Sequence, residues 1–125
     1  MSDSGPQLTA EALLPFVPSR DYARSQAFYQ ALGFQPGYQD EQLTEFALGP
    51  CRFYLQKFYS KAFASNFVMQ LLVKDLDAWW QHMLEMELTR LYPEIKAEAP
   101  EIKPWGQRLI TLIDPSGVLW YIAQL

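Results

Sequence analysis

The sequence predicts an α+β fold of two tandem βαβββ modules, about residues 11–58 and 66–125, within one domain spanning residues 1–125. Three observations lead there. Strand, helix and three further strands can be read off the chain twice in the same order. A basic residue followed by a helix-capping aspartate, Arg20-Asp21 and Lys74-Asp75, stands at the matching place in each half, a repeat of roughly 55 residues. And 125 residues, half of them hydrophobic and 15% aromatic, supply one ordinary core and not two.

Taken in order, Leu13 to Ser19 is apolar and β-prone but holds Pro15 and Pro18, which lack ladder donors and so predict an edge strand. Ser19 or Asp21 then caps a helix on which Tyr22, Ala23, Ala27, Phe28, Ala31 and Leu32 recur at helical spacing, and Gly33 stops it. Three short strands follow, Phe34 to Gln39, Thr44 to Leu48 and Cys51 to Phe58, parted by turn residues at Asp40-Glu41 and Gly49-Pro50. Tyr59 to Ser65 reads as a linker. The second half repeats the scheme with a strand over Asn66 to Val73, the cap Asp75, and a helix over Leu76 to Met86 with Leu76, Trp79, Trp80, Met83 and Leu84 at helical spacing. Strands at Ile95 to Glu98, Gln107 to Ile113 and Val118 to Ala123 complete it, with turns at Pro104 to Gly106 and Asp114 to Gly117.

Composition narrows the chemistry. Fourteen acidic against ten basic residues give a net charge of −4, so no field favours nucleic-acid phosphates. The absence of a basic, apolar leader and of any run of about 18 apolar residues predicts a cytoplasmic protein that neither enters nor crosses a membrane. One cysteine, Cys51, precludes an internal disulfide and a cysteine zinc cage, and one imidazole, His82, cannot form a histidine cluster. Cys51 has no histidine near it in sequence and reads as a core or strand-packing residue. His82 falls on the second helix and reads as a solvated or packing side chain. Ser25, Ser65 and Ser116 fall on a helix, a linker and a turn. The pairs Asp40-Glu41 and Glu85/Glu87 read as solvated faces rather than a desolvated acid and base.

Pro18-Ser19-Arg20-Asp21, Ser25-Gln26-Ala27-Phe28-Tyr29 leading to Leu32-Gly33-Phe34, Val73-Lys74-Asp75-Leu76-Asp77, Pro104-Trp105-Gly106 and Asp114-Pro115-Ser116-Gly117 occur in an order and spacing that resembles the vicinal-oxygen-chelate superfamily of glyoxalases, extradiol dioxygenases, fosfomycin-resistance enzymes and bleomycin-resistance proteins. Nearly the whole chain is covered. Pro-Ser-Arg-Asp before the first helix and Trp-Gly before the penultimate strand resemble the bleomycin-resistance proteins most. That resemblance implies modules that each curl a four-stranded mixed sheet into a cup, with helices outside and ligand inside, and a homodimer with a crevice near the subunit interface. Metal-using members place histidines where this chain has Leu14 and Val68, and glutamates where it has Tyr54 and Tyr121. Hydrocarbon does not coordinate and neutral phenol is a rare ligand. No metal and no other cofactor is therefore expected, and no catalytic residue is assigned.

If Val68 points inward as its metal-site counterpart does, alternation sends Gln70 and Leu72 inward too and leaves Phe67, Met69, Leu71 and Val73 against the helix. By the same rule Arg52, Tyr54, Gln56 and Phe58 share an inner face, Tyr121 shares one with Leu119, and Trp120 faces the helix. Trp105, before Gly106, occupies the place where bleomycin-resistance relatives put a ligand-stacking tryptophan; it either stacks on ligand or anchors the loop or the dimer contact. Of the adjacent Trp79 and Trp80, about 100° apart on a helix, one is expected in the core and one at a rim or interface. Tyr38, Phe46, Tyr59 and Phe63 are candidates for the rim. The expected ligand-binding set is thus Trp105, Gly106, Tyr54, Arg52, Gln56, Phe58, Gln70 and Tyr121, suited to a small planar or aromatic organic molecule. The expected role is sequestration, as in antibiotic resistance, rather than catalysis. The alternative is a glyoxalase- or dioxygenase-like metalloenzyme with divergent ligands.

Overall fold

The computed structural model describes residues 7–125. Its elements run β1 (Phe16–Pro18), α1 (Tyr22–Leu32), β2 (Gln35–Gln39), β3 (Leu43–Leu48), β4 (Cys51–Gln56), α2 (Lys61–Ser65), β5 (Val68–Val73), α3 (Leu76–Glu85), α4 (Leu88–Leu91), β6 (Lys96–Ile102), β7 (Arg108–Ile113) and β8 (Leu119–Gln124). They form two four-stranded mixed sheets, ordered β1-β4-β3-β2 and β5-β8-β7-β6, called here sheets A and B. This is the predicted twofold βαβββ order. In each sheet the first strand lies parallel to the last, and the other pairs are antiparallel.

The local causes are those the sequence carries. β1 is three residues long and sits at the edge of sheet A, where Pro15 and Pro18 break no ladder on the free side. Asp21 caps α1 by accepting from Arg24 N at 3.2 Å, and Asp75 caps α3 by accepting from Ala78 N at 3.0 Å. Gly33 ends α1 at φ 128°, a conformation that side-chain-bearing residues rarely adopt. The buried stripe of α1 is Ser25, Phe28, Tyr29 and Leu32, an i, i+3, i+4, i+7 set. Ala23 and Ala27, expected on that face, are exposed. On α3 Leu84 likewise turns outward, leaving Leu76 and Met83 buried.

Other expectations are corrected. Tyr59 to Ser65 contains α2, started by Ser60, whose side chain accepts from Phe63 N. α4 follows α3 directly, entered through Glu87 in the left-handed region at φ 51°. Helices of five and four residues are too short for a periodicity to be read. β6 runs past Glu98 to Ile102 through a register irregularity between Glu98 and Glu101, which lets an edge strand absorb Pro100. Phe46 is not at a rim; Thr44 and Phe46 alternate onto the core side of β3 and are fully buried. Cys51 does not pack but lies exposed at the start of β4. Trp79 and Trp80 do not divide between core and rim, since both are half-buried against the core.

Both sheets turn one face to a shared core. Tyr29 is its hub, with ring centroids 5.0 Å from Phe53, 5.7 Å from Trp120 and 5.9 Å from Phe46. Its hydroxyl donates to Asp114 Oδ2 at 2.5 Å and accepts from Trp120 Nε1 at 2.9 Å. Asp114 also accepts from Ser116 N and Val118 N, so the buried carboxylate is fully partnered. Burial pushes this carboxyl above its ordinary range, against the opposing pull of the Tyr29 hydroxyl and the turn amides. The phenol is pushed well above its own range, first by burial and then by the neighbouring Asp114 charge. More polar contacts cross between the modules. Arg20 N donates to Ser116 Oγ at 2.8 Å, Arg24 donates to Leu91 O and to Glu94, and His82 Nε2 lies 2.8 Å from Ala31 O. His82 is therefore a packing residue.

Candidate functional site

Because α1 and α3 back one side of each sheet, the opposite faces are left bare. On sheet A, Phe16 pairs with Tyr54, and on sheet B, Gln70 pairs with Tyr121. Phe16 and Gln70 are 54 residues apart, as are Leu14 and Val68, and Asp21 and Asp75. The structure thus places Leu14/Tyr54 and Val68/Tyr121 at equivalent places in the two modules.

The face of sheet A carries Arg52, Tyr54 and Gln56 from β4, opposite Ala47, Glu45 and Leu43 of β3. Phe16 and Tyr54 lie with ring centroids 4.8 Å apart. Arg52 Nη1 stands 3.7 Å from Glu45 Oε2 across the strands. Phe58 lies just beyond the end of β4, exposed, its ring 6.2 Å from that of Phe63. The face of sheet B carries Val68, Gln70 and Leu72 from β5, with Val68 55% and Leu72 50% exposed, while Leu71 and Val73 are buried. The alternation predicted for this strand holds.

The loop from Lys103 to Gln107 folds back over the sheet B face. Lys103 N donates to Gln107 O and Gly106 N to Lys103 O, with Gly106 at φ 92° closing the turn. Gln107 Oε1 accepts from both Trp105 Nε1 and Gln70 Nε2, each at 3.2 Å. Trp105 stands edge-on to Tyr121 with centroids 6.4 Å apart, and is still 60% exposed. Leu109 and Ala123 point to this same face by register yet are fully buried, outside the main core cluster.

Where the edges of the two sheets approach, a groove of about 360 Å³ is lined by Leu13, Pro15, Cys51, Arg52, Val68 and Gln70, among others. The structure therefore gathers Gln70, Trp105, Gly106 and Tyr121 on sheet B, and Arg52, Tyr54 and Gln56 on sheet A, with Phe58 at the end of the latter. Gln70 and Arg52 both line the groove. Sequence reasoning missed Phe16, Glu45 and Gln107. Strand parity on β3 would have found Glu45. No local signal marks Gln107, whose role depends on a loop doubling back.

Leucine, valine and two phenols at the four positions described do not fit a divalent ion. Among the described residues, no three His, Cys, Asp or Glu side chains group as a metal site requires.

Two βαβββ modules that share a core and leave one face of each sheet bare are also the fold of a member of the glyoxalase/bleomycin resistance protein/dioxygenase superfamily from Sphaerobacter thermophilus, which superposes with TM-score 0.66 at 16% identity, covering 94% of this chain and 100% of that one. No family model matches the chain. The bleomycin resistance protein of Klebsiella pneumoniae is 30% identical over 117 residues, covering 88% of this chain and 89% of the relative. A bleomycin-binding protein, solved in complex with bleomycin, superposes with TM-score 0.76 at 28% identity, covering 93% of this chain and 99% of that one. The bleomycin resistance determinant encoded on transposon Tn5 superposes with TM-score 0.75, also at 28% identity, covering 92% and 98%. The chain belongs to the bleomycin resistance protein family.

Proposed function

We propose that this protein sequesters a planar or aromatic organic molecule of the bleomycin type, without chemical change, at a crevice of a cytoplasmic homodimer. The observation that carries the reading is Trp105: a large ring, fixed by Gln107 and set edge-on to Tyr121, yet 60% exposed on a bare sheet face. An aromatic side chain held in place but uncovered supplies a stacking surface that loses little freedom on binding. Tyr121, Gln70 and Gly106 surround it, and Arg52, Tyr54, Gln56 and Phe58 offer a second bare face with rings and hydrogen-bonding tips. Similarity to a protein solved with bleomycin and to bleomycin resistance proteins supports the same ligand class. The apolar exposure of Phe16, Val68 and Leu72 supports a second copy that closes the crevice.

Sequestration needs contact energy alone, so neither a metal nor another cofactor enters the scheme, and neither nucleic acid nor membrane is a partner. Titration calorimetry of the purified protein against bleomycin and a panel of planar organics tests the reading. Saturable heat with unchanged ligand recovered afterwards is expected. Trp105→Ala is expected to weaken binding by about 1–3 kcal/mol. No saturable heat with any of these compounds, a converted product, or stoichiometric metal on elemental analysis would overturn it.

A further inference from the structure

On the bare face of sheet B, beside Tyr121, is a polar group with nothing to bond. Thr111 is on β7, registered against Tyr121 of β8 on one side and Glu98 of β6 on the other. It is the next residue on the bare face of sheet B after Leu109. Its Oγ1 is buried and has no hydrogen-bond partner among the described residues. Threonine and valine have nearly the same shape, and the bare-face positions either side of Thr111 on this strand, Leu109 and Ile113, are hydrocarbon. A valine would fill the place without burying an unpaired hydroxyl.

We propose that Thr111 is a specificity-determining residue of the crevice, whose hydroxyl bonds a polar group carried on the ring system that stacks at Trp105. The inference rests on the functional reading above and names the chemistry it selects: a planar molecule with a carbonyl, amide or ring nitrogen beside its ring, in preference to plain hydrocarbon. Thr111 as a whole is partly exposed, so a ligand seated on this face reaches the side chain, and a turn about Cα–Cβ on binding would present the oxygen to it. Tyr121 beside it and Gln70 one strand further supply a row of hydrogen-bonding tips across β7, β8 and β5. A hydroxyl without a partner in the protein discriminates against a ligand that leaves it unpaired more sharply than an apolar wall can.

The test compares wild type, Thr111→Val and Thr111→Ser. Without ligand, Thr111→Val is expected to melt about 2–5 °C higher, since it removes a buried group without a partner. With bleomycin as the probe in calorimetry, Thr111→Val is expected to bind about tenfold more weakly and Thr111→Ser within about twofold of wild type. The two effects of valine have opposite signs, which a merely structural role does not produce. A lower melting temperature for Thr111→Val would mean the hydroxyl is already paired inside the protein and would overturn the inference. So would equal affinities of wild type and Thr111→Val, with the functional reading left standing. Failure of the wild type to bind any compound of the panel would bring down that reading and this inference together.

Discussion

Replacing Tyr29 by phenylalanine removes one oxygen from the centre of the molecule and leaves two polar groups stranded. The hydroxyl donates to Asp114 Oδ2 and accepts from Trp120 Nε1, and all three residues are at most 2% exposed. Phenylalanine keeps the ring and its contacts with Phe53, Phe46 and Trp120, so little packing changes. The loss of a hydrogen bond to a buried carboxylate is about 1.5–3 kcal/mol, and an indole N–H left unpaired in the core adds about 1–2 kcal/mol. A total near 3–4 kcal/mol is a large share of the roughly 5–15 kcal/mol by which a domain of this size is stable. Urea unfolding followed by tryptophan fluorescence should show a lower midpoint at unchanged slope.

The acid dependence of that loss is a second readout. A carboxyl whose folded pKa lies above its unfolded value is less favourable to the fold when ionised; the penalty is present above the folded pKa and falls away as pH drops through it. Burial raises the Asp114 pKa and the Tyr29 hydrogen bond opposes that rise. Tyr29→Phe removes the opposing bond and raises the pKa further. Its destabilisation is therefore largest near neutral pH and shrinks on acidification through the carboxyl's range. A loss below about 1 kcal/mol at neutral pH, or one that grows on acidification, would refute the account of Asp114 as an ionised acceptor held by Tyr29.

Asp21→Ala and Asp75→Ala each remove a helix cap, and each should lower stability by about 1 kcal/mol in urea unfolding, with the double variant additive because the two caps share no partner. Gln107→Leu frees both Trp105 and Gln70 from their common acceptor, so calorimetry with bleomycin should give an affinity a few-fold weaker, a smaller loss than Trp105→Ala causes. Native mass spectrometry should record a species of twice the 14.5 kDa chain mass, and a species of that single mass alone would remove the crevice between copies.

The fold was legible because its markers are local. Asp21, Gly33 and Asp75 act within a turn of where they stand, and Val68 to Val73 alternates with period two as a strand packed on one side must. What escaped was whatever a neighbouring layer decides. The bond from Tyr29 to Asp114, 85 positions away, leaves no local mark, and Ala23 yielded its expected place to the stripe through Ser25 that meets Ser116. Cys51 is typical of buried residues by type, but a strand's first position opposite a two-residue turn has nothing packed over it. The site divides in the same way: strand parity placed Tyr54, Gln70 and Tyr121 on bare faces, whereas the Gln107 bridge required a loop to double back.

The unequal lengths of the two modules give this asymmetry a physical meaning. Leu14 and Val68 are 54 residues apart, but Tyr54 and Tyr121, at the ends of the same repeat, are 67 apart. The second module is thus longer, and the extra residues fall at α4, along β6 and its loop to β7, and at the turn between β7 and β8. Two of those places carry what the first module lacks. The turn supplies Asp114 and Ser116, which bind the helix of the first module, and the loop supplies Trp105, Gly106 and Gln107 over the bare face. In the first module the corresponding connections are Asp40–Gln42 and Gly49–Pro50, too short to reach across a sheet. Sheet A can therefore offer only what its strands project, the Phe16–Tyr54 rings and the Arg52–Glu45 pair. A ligand held on both sides needs a stacked wall of the second kind facing a strand face of the first. Within one chain the shared core is packed against the other side of both sheets, so the proposed second copy is the element that brings the two walls together.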